Sequence, residues 1–181
     1  MGISSLSTTQ ISNLSAAAIQ NLTTTDISAL SASQIGAINT SGIAVISATQ
    51  LGALNATQIR GLTTTQIPEL ASSVVFSASQ LMALNSQQFA SLTSSQLDNF
   101  DSTRMAAISV TQLAALSTTN FSSLDATQIG LLTATQLRGV TTAQMQALTT
   151  DDVAEFTATQ LGLLSTQQLT ALNGTQLGAL T

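Results

Sequence analysis

Histidine, cysteine, tryptophan, tyrosine and lysine are all missing from these 181 residues, and only 6% of the chain is charged. Without His, Cys, Lys or Tyr, the many Ser and Thr hydroxyls lack the usual neighbouring base, so enzymatic catalysis is not expected. The three basic residues, Arg60, Arg104 and Arg138, are widely spaced, and the net charge is -5. Such a chain has no basic footprint for nucleic acid or an anionic membrane. Absence of Cys is compatible with an oxidising compartment and with a reducing one. The mean hydropathy is positive at +0.36, yet polar residues interrupt every apolar stretch well short of the roughly 18 residues a spanning helix needs. No membrane insertion is expected, and the N-terminal residues Met1 to Leu6 show neither the basic nor the apolar region of a signal peptide.

What the chain does contain is one octapeptide, repeated throughout. In register it reads [Leu/Ile]-[Ser/Thr/Asn/Asp]-x-Thr-Gln-[Ile/Leu]-x-Ala, as from Ile46 to Ala53, or with Leu last, as from Leu124 to Leu131. The repeat fills 22 units from Leu6 to Ala179. A short fixed period is the signature of a solenoid or fibrous array, in which function belongs to a surface or a spacer rather than a pocket. Both ends fall inside the repeat: Ile3 to Ser5 supply the last three positions of an earlier octad, and Thr181 stands where the next capping residue belongs. The expectation is a single solenoid over 1–181, a fragment of a longer array, with Met1 and Gly2 foreign to the repeat.

Position 2 decides the fold class. It is Ser, Thr, Asn or Asp in every unit except one, where Ala71 stands. These short side chains accept a hydrogen bond from an orphan amide in the first turn of a helix, whereas strands disfavour Asn and Asp. Three residues on, position 5 is Gln in 15 units and Asp in two, Asp26 and Asp152. That spacing is the capping box, in which the second side chain reaches back to the amide of the first. Positions 1 and 6 are apolar in all 22 units, which repeats the hydrophobic staple every octad.

Each octad therefore predicts one very short capped helix over positions 3 to 8, about 9 Å long, with a sharp corner at positions 1 and 2. Position 8 is often small, as at Ala29, Ala37, Ala53, Gly61, Ala83 and Ala179, which would let backbones approach closely. One octad cannot bury enough surface to fold alone, so coils must stack. The predicted architecture is an all-α solenoid with about three octads per turn, and Ile108 is expected near residues 24 positions away, such as Leu132. A continuous helix fails because its apolar stripe would drift by about 80° per octad. A β-solenoid is the alternative, since Thr, Ile and Ser suit strands, but its core positions would break alternation.

One place departs from the rule. The unit at 70–75 is six residues long, with Ala71 in place of the cap and Val74-Val75 closing it; Pro68, the only proline, lies just upstream and removes an amide from a helix interior. A tolerated bulge or kink is expected there, with a hinge or docking notch as the sharper reading.

No catalytic, cofactor or metal residues are assigned. Asp151, Asp152 and Glu155 form the densest acidic cluster, in which Asp152 is read as the reach-back residue of a box on Thr149 and Asp151 as a first-turn acid favoured by the helix dipole; a weak Ca²⁺ site is the other reading. Asp98, Asn99 and Asp101 make a second patch, with Asp101 as a cap, but the glycine and distal glutamate of a calcium loop are missing. Phe76, Phe89, Phe100, Phe121 and Phe156 occupy positions 1 or 6 and belong to the core by register. Position 4 is Thr or Ser in most units, so hydroxyls recur at a fixed interval and could contact ice, glycan or protein, or serve only as soluble first-turn residues.

Segments such as Leu62 to Ile67 (Leu-Thr-Thr-Thr-Gln-Ile) and Leu132 to Gly139 resemble the octapeptide arrays of very large, repetitive bacterial surface or exported proteins of the adhesin-like kind. The resemblance covers essentially the whole chain and departs at the six-residue unit and from Ile38 to Ile43. It implies a structural spacer or stalk and a secreted or cell-surface setting, and carries over no functional residue. A binding module using the Ser/Thr face, and end-to-end self-association into filaments, are the alternatives.

Overall fold

The computed structural model describes residues 2–180; Met1 and Thr181, and the expectations placed on them, lie outside the described residues. Among those residues the chain forms twenty α-helices of four to six residues and two 3-10 turns, Ile3–Ser5 and Ile67–Glu69, with no strand. The β-solenoid alternative is thereby overturned. The cause is local: the residue before every α-helix is extended, and its Ser, Thr, Asn or Asp side chain takes the amide three residues on. Thr133, for example, accepts from the Gln136 amide at 3.3 Å, and Gln136 Oε1 accepts from the Thr133 amide at 2.9 Å. This reciprocal box closes every α-helix start except those of Ala16–Gln20, Thr40–Ile43, Ser102–Ala107 and Thr118–Ser122. In these four, position 5 is Ala18, Gly42, Arg104 or Asn120.

The corners are equally regular. The position-1 amide donates to the position-6 carbonyl, as from Leu30 to Ile27 at 3.2 Å and from Leu132 to Ile129 at 3.1 Å. Positions 1 and 2 then run extended into the next helix. No described residue has a positive φ, so the direction changes without any glycine-only conformation.

The chain divides into two compact units, Met1–Leu92 and Thr93–Thr181. Within each, helices three octads apart pack together. In the first, Thr8–Ser12 lies against Ala32–Ala37, which lies against Ala56–Gly61; in the second, Thr118–Ser122, Thr142–Ala147 and Thr166–Ala171 stack the same way. Three octads thus make one turn, the expected spacing of 24 residues.

Positions 1 and 6 fill the interior. Ile59, Leu113 and Leu137 are wholly buried, and Leu62, Leu116 and Leu132 nearly so. All five phenylalanines are buried with them. Small residues matter where helices come closest: a Cβ on Gly61 would lie 2.3 Å from the Ala32 carbonyl oxygen, and one on Gly36 would lie 2.6 Å from the Gly61 carbonyl oxygen.

The irregular region interrupts the helices without breaking the coil. Thr63 and Gln66 keep the capping box, but Pro68 converts the rest of that octad into the 3-10 turn Ile67–Glu69. The six-residue unit then closes through a tight turn, with the Val74 amide donating to the Ala71 carbonyl at 2.8 Å, and Val74 enters the core.

Candidate functional site: a glutamine ladder between coils

Two carbonyls at each corner face the adjacent coil. The position-6 carbonyl already receives the position-1 amide, whereas the position-1 carbonyl belongs to neither helix. A buried carbonyl must find a donor, and the position-5 glutamine of the following coil supplies it. Gln136 Nε2 donates to the carbonyls of Met105 and Ile108, both at 2.8 Å, while its Oε1 holds the Thr133 amide. Gln58 does the same with Ile27 at 2.9 Å and Leu30 at 2.7 Å, and Gln66 with Ile35 and Ile38. The side-chain amide has one acceptor oxygen and two N–H donors, and all are engaged. The amide orientation follows from this chemistry, since one end meets only a donor and the other only acceptors.

The acceptors lie 31 and 28 residues before each Gln in regular sequence. Across the six-residue unit they lie 29 and 26 before it, as for Gln80 with Leu51 and Leu54. The rung therefore follows the corner and not the residue count. The two-residue deletion is absorbed within one side of one turn, and neither the hinge nor the notch reading is needed to accommodate it.

Sequence reasoning assigned these glutamines to capping alone and missed their second partner. The signal was present: a capping box accepts Glu as readily as Gln, yet no unit carries Glu at position 5. Gln caps as Glu would and in addition donates, which the ladder requires. The buried state of the side chain is the other consequence, and Gln58, Gln88 and Gln144 are no more than 2% exposed.

Departures from Gln are informative. In the unit from Ile38, position 5 is Gly42, and Asn39 at position 2 turns inward: its Nδ2 donates to the carbonyls of Ser12 and Leu14, each at 2.8 Å, while Oδ1 accepts from the Gly42 amide. A Cβ at Gly42 would meet Ile38 Cγ2 at 2.9 Å and Ile19 Cγ1 at 3.0 Å, so the exchange of donor comes with a loss of side chain beside it.

Asp152 cannot make the exchange. By register its acceptors would be the carbonyls of Phe121 and Leu124, and a carboxylate has no hydrogen to give them. It forms the expected box with Thr149 and accepts instead from the Ser122 hydroxyl. Glu155, beside it, has one carboxylate oxygen buried without a partner. Burial raises its pKa above the usual range, and the nearby charges of Asp152, Asp125 and Asp151 push the same way.

The second acidic patch resolves into local contacts. Asp101 caps Ser102–Ala107 by accepting from the Arg104 amide at 2.9 Å and pairs with the Arg104 guanidinium; Asn99 Nδ2 donates to the Ser95 carbonyl. The hydrogen bond from the Arg104 amide, together with the Arg104 charge and the Thr103 amide, lowers the Asp101 pKa against a partial opposing effect of burial. Among the described residues, no group of three or more acidic, His or Cys side chains is placed to hold a metal ion.

Position-4 hydroxyls lie at the surface, and some bond to their own cap, as between Thr63 and Thr65 at 2.9 Å and Ser109 and Thr111 at 3.1 Å. On one face of the second unit two open depressions lie between stacked helices. One, of about 320 Å³, is lined by Thr118, Thr119, Ser122, Ser123 and Ala147; the other, of about 470 Å³, by Thr142, Gln146, Gln167, Thr170 and Ala171. Neither contains a charged or aromatic side chain.

No protein-family model, curated protein or solved structure matches the chain. The ladder and the surface around it therefore carry the functional reading by themselves.

Proposed function

We propose that the chain is a non-enzymatic structural spacer, part of a stalk in a large secreted or cell-surface protein of the octapeptide-array kind. The observation that carries this reading is the ladder: the one polar side chain that the repeat holds almost constant is spent on joining coils. The surface around it is made of short hydroxyl residues in open, neutral depressions, a poor place for chemistry and a suitable one for remaining soluble with few charges. No helix among the described residues is long and apolar enough to cross a membrane.

Stacked helices lie about 8–10 Å apart, so each 24-residue coil adds roughly that much length. The test is a series of variants with one coil deleted or duplicated within 102–173, with fluorophores at the ends of the second unit. A spacer changes the dye separation by about 8–10 Å per coil and keeps its helical circular-dichroism spectrum. A separation that stays constant, or a series that unfolds, ends the spacer reading.

A further inference from the structure

Position 8 of an octad faces the coil before it. A Cβ on Gly61 would strike the Ala32 carbonyl oxygen, and one on Gly139 would lie 2.1 Å from Val110 Cγ1; Ala32 and Val110 each open the helix one coil back. In the unit from Leu148, position 8 is Glu155, and the residue that opens the helix one coil back is Ala126, capped by Asp125. A carboxylate thus stands where Gly61 and Gly139 have no side chain.

The same seam lacks its rung. Position 5 is Asp152, whose carboxylate accepts from the Thr149 amide and the Ser122 hydroxyl and has no hydrogen for the Phe121 and Leu124 carbonyls. Helices Ala126–Gly130 and Thr150–Ala154 also approach each other less closely than Thr118–Ser122 and Thr142–Ala147 do. One Glu155 oxygen is buried there without a partner, and the charges acting on it, from Asp152, Asp125 and Asp151, are all negative. Helices Thr118–Ser122, Thr142–Ala147, Ala158–Leu161 and Gly174–Gly178 around it contain no ionisable side chain. Arg138 lies on Ala134–Gly139, which stacks on Val110–Ala115.

We propose that this seam is an acid-tightened joint within the second unit: the two helices part locally while Glu155 is ionised and close when it takes up a proton. Closing moves one proton from solvent to the Glu155 carboxylate, so that three negative neighbours face a neutral group. Burial and these carboxylates raise the Glu155 pKa in the closed seam. Closure is therefore fully favoured below the ordinary carboxylate range and weakens as the pH rises through the raised value. Asp152 sharpens the effect, because a glutamine in its place would hold the seam by a rung at any pH. A spacer of stacked coils thereby has one seam that loosens at neutral pH and tightens in acid.

Amide hydrogen exchange of the whole chain, read by mass spectrometry and corrected for the intrinsic effect of pH, tests this by measuring local opening. Between about pH 7.5 and about pH 5, protection of 149–155 is expected to rise by at least about threefold. Protection of 133–139, which keeps the Gln136 rung, is expected to stay constant. Glu155→Gln is expected to show the acid level of protection at both pH values, and Asp152→Gln to raise protection at neutral pH and shrink the pH effect. Circular dichroism checks that each variant keeps its helices. Equal protection of 149–155 at the two pH values in the parent overturns the joint, and so does a pH effect that survives Glu155→Gln. Because exchange is read at one seam, that failure would leave the spacer reading, which is tested by length, in place.

Discussion

Asn39 Nδ2 lies 2.8 Å from the carbonyl oxygen of Leu14, the kind of corner oxygen that a position-5 glutamine reaches elsewhere. The bond comes from the capping position and not from three residues beyond it. Asn39→Ser keeps a cap and removes the donor, leaving two carbonyls of the coil beneath without it. The expected loss is about 1–3 kcal/mol, the cost of an unsatisfied buried group. Asn55 caps in the same way, but its rung comes from Gln58, so Asn55→Ser is expected to change stability by no more than about 0.5 kcal/mol. Urea denaturation of the two variants, compared at equal slope, measures the difference.

Replacing Gln136 by glutamate separates capping from the ladder. The introduced carboxylate can still hold the Thr133 amide, but it would face the Met105 and Ile108 carbonyls with no hydrogen to offer them. Gln136→Glu is expected to lower the midpoint of thermal unfolding at pH 7 and to regain most of the loss as the pH falls below the carboxylate range, where protonation restores one donor. A variant as stable as the parent at pH 7 contradicts the ladder.

Glu155 provides the natural case. Its folded-state pKa is raised by burial and by neighbouring carboxylates, so its ionised form opposes folding, and the stability associated with its protonated form is lost as pH rises through the raised value. Glu155→Gln is expected to stabilise the chain at pH 7 and to have no effect at pH low enough to protonate the group in the unfolded chain as well. Asp152→Gln should act in the same direction, by supplying a donor toward Phe121 and Leu124. Asp26 and Asp101 have the opposite sign: hydrogen bonds lower their pKa values. Their contribution is present above the ordinary carboxylate range and fades as the pH drops through the lowered values. Thermal melts at closely spaced pH values resolve the two signs.

Gly61 and Gly52 are both helical glycines and should respond in opposite ways to alanine. At Gly61 a methyl group would collide with the Ala32 backbone, 2.8 Å from its Cα, and overpacking against immobile backbone costs about 1–3 kcal/mol. At Gly52 nothing lies within 4 Å, and the gain in helix propensity is about 0.5–1 kcal/mol. Calorimetric midpoints of Gly61→Ala and Gly52→Ala should therefore shift down and up, respectively.

Much of the fold was legible because the repeat specifies helix starts by short-range chemistry. Thr133 and Gln136 identify a capping box from spacing alone, and Leu132 and Leu137 identify the staple. Three octads per turn followed from corners too short to reverse the chain. The second partner of Gln136 was not legible in the same way, because Met105 and Ile108 are joined to it only once the coil has closed. Asn39 was harder still. Its identity satisfies the capping rule, and nothing within its own octad shows that it has taken over the task left vacant at Gly42. The buried oxygen of Glu155 has the same origin: its environment is assembled partly from Asp125, a full coil away.

A corner bond that joins position 1 to position 6 in the regular octads, together with a rung that follows corners rather than residue number, bears on how such a chain lengthens. Most octads offer the same acceptors upward and a glutamine donor downward, so inserting one octad turns the following chain by one side and gives most helices a new partner of the same kind. The array can grow by eight residues although its contacts recur every 24. What resists such slippage is its irregularity. Gly36 fits beneath Gly61, and Asn39 reaches Leu14 in place of a glutamine; a shift of one octad would separate both pairs. Imperfections in the repeat are therefore what give each coil its own address.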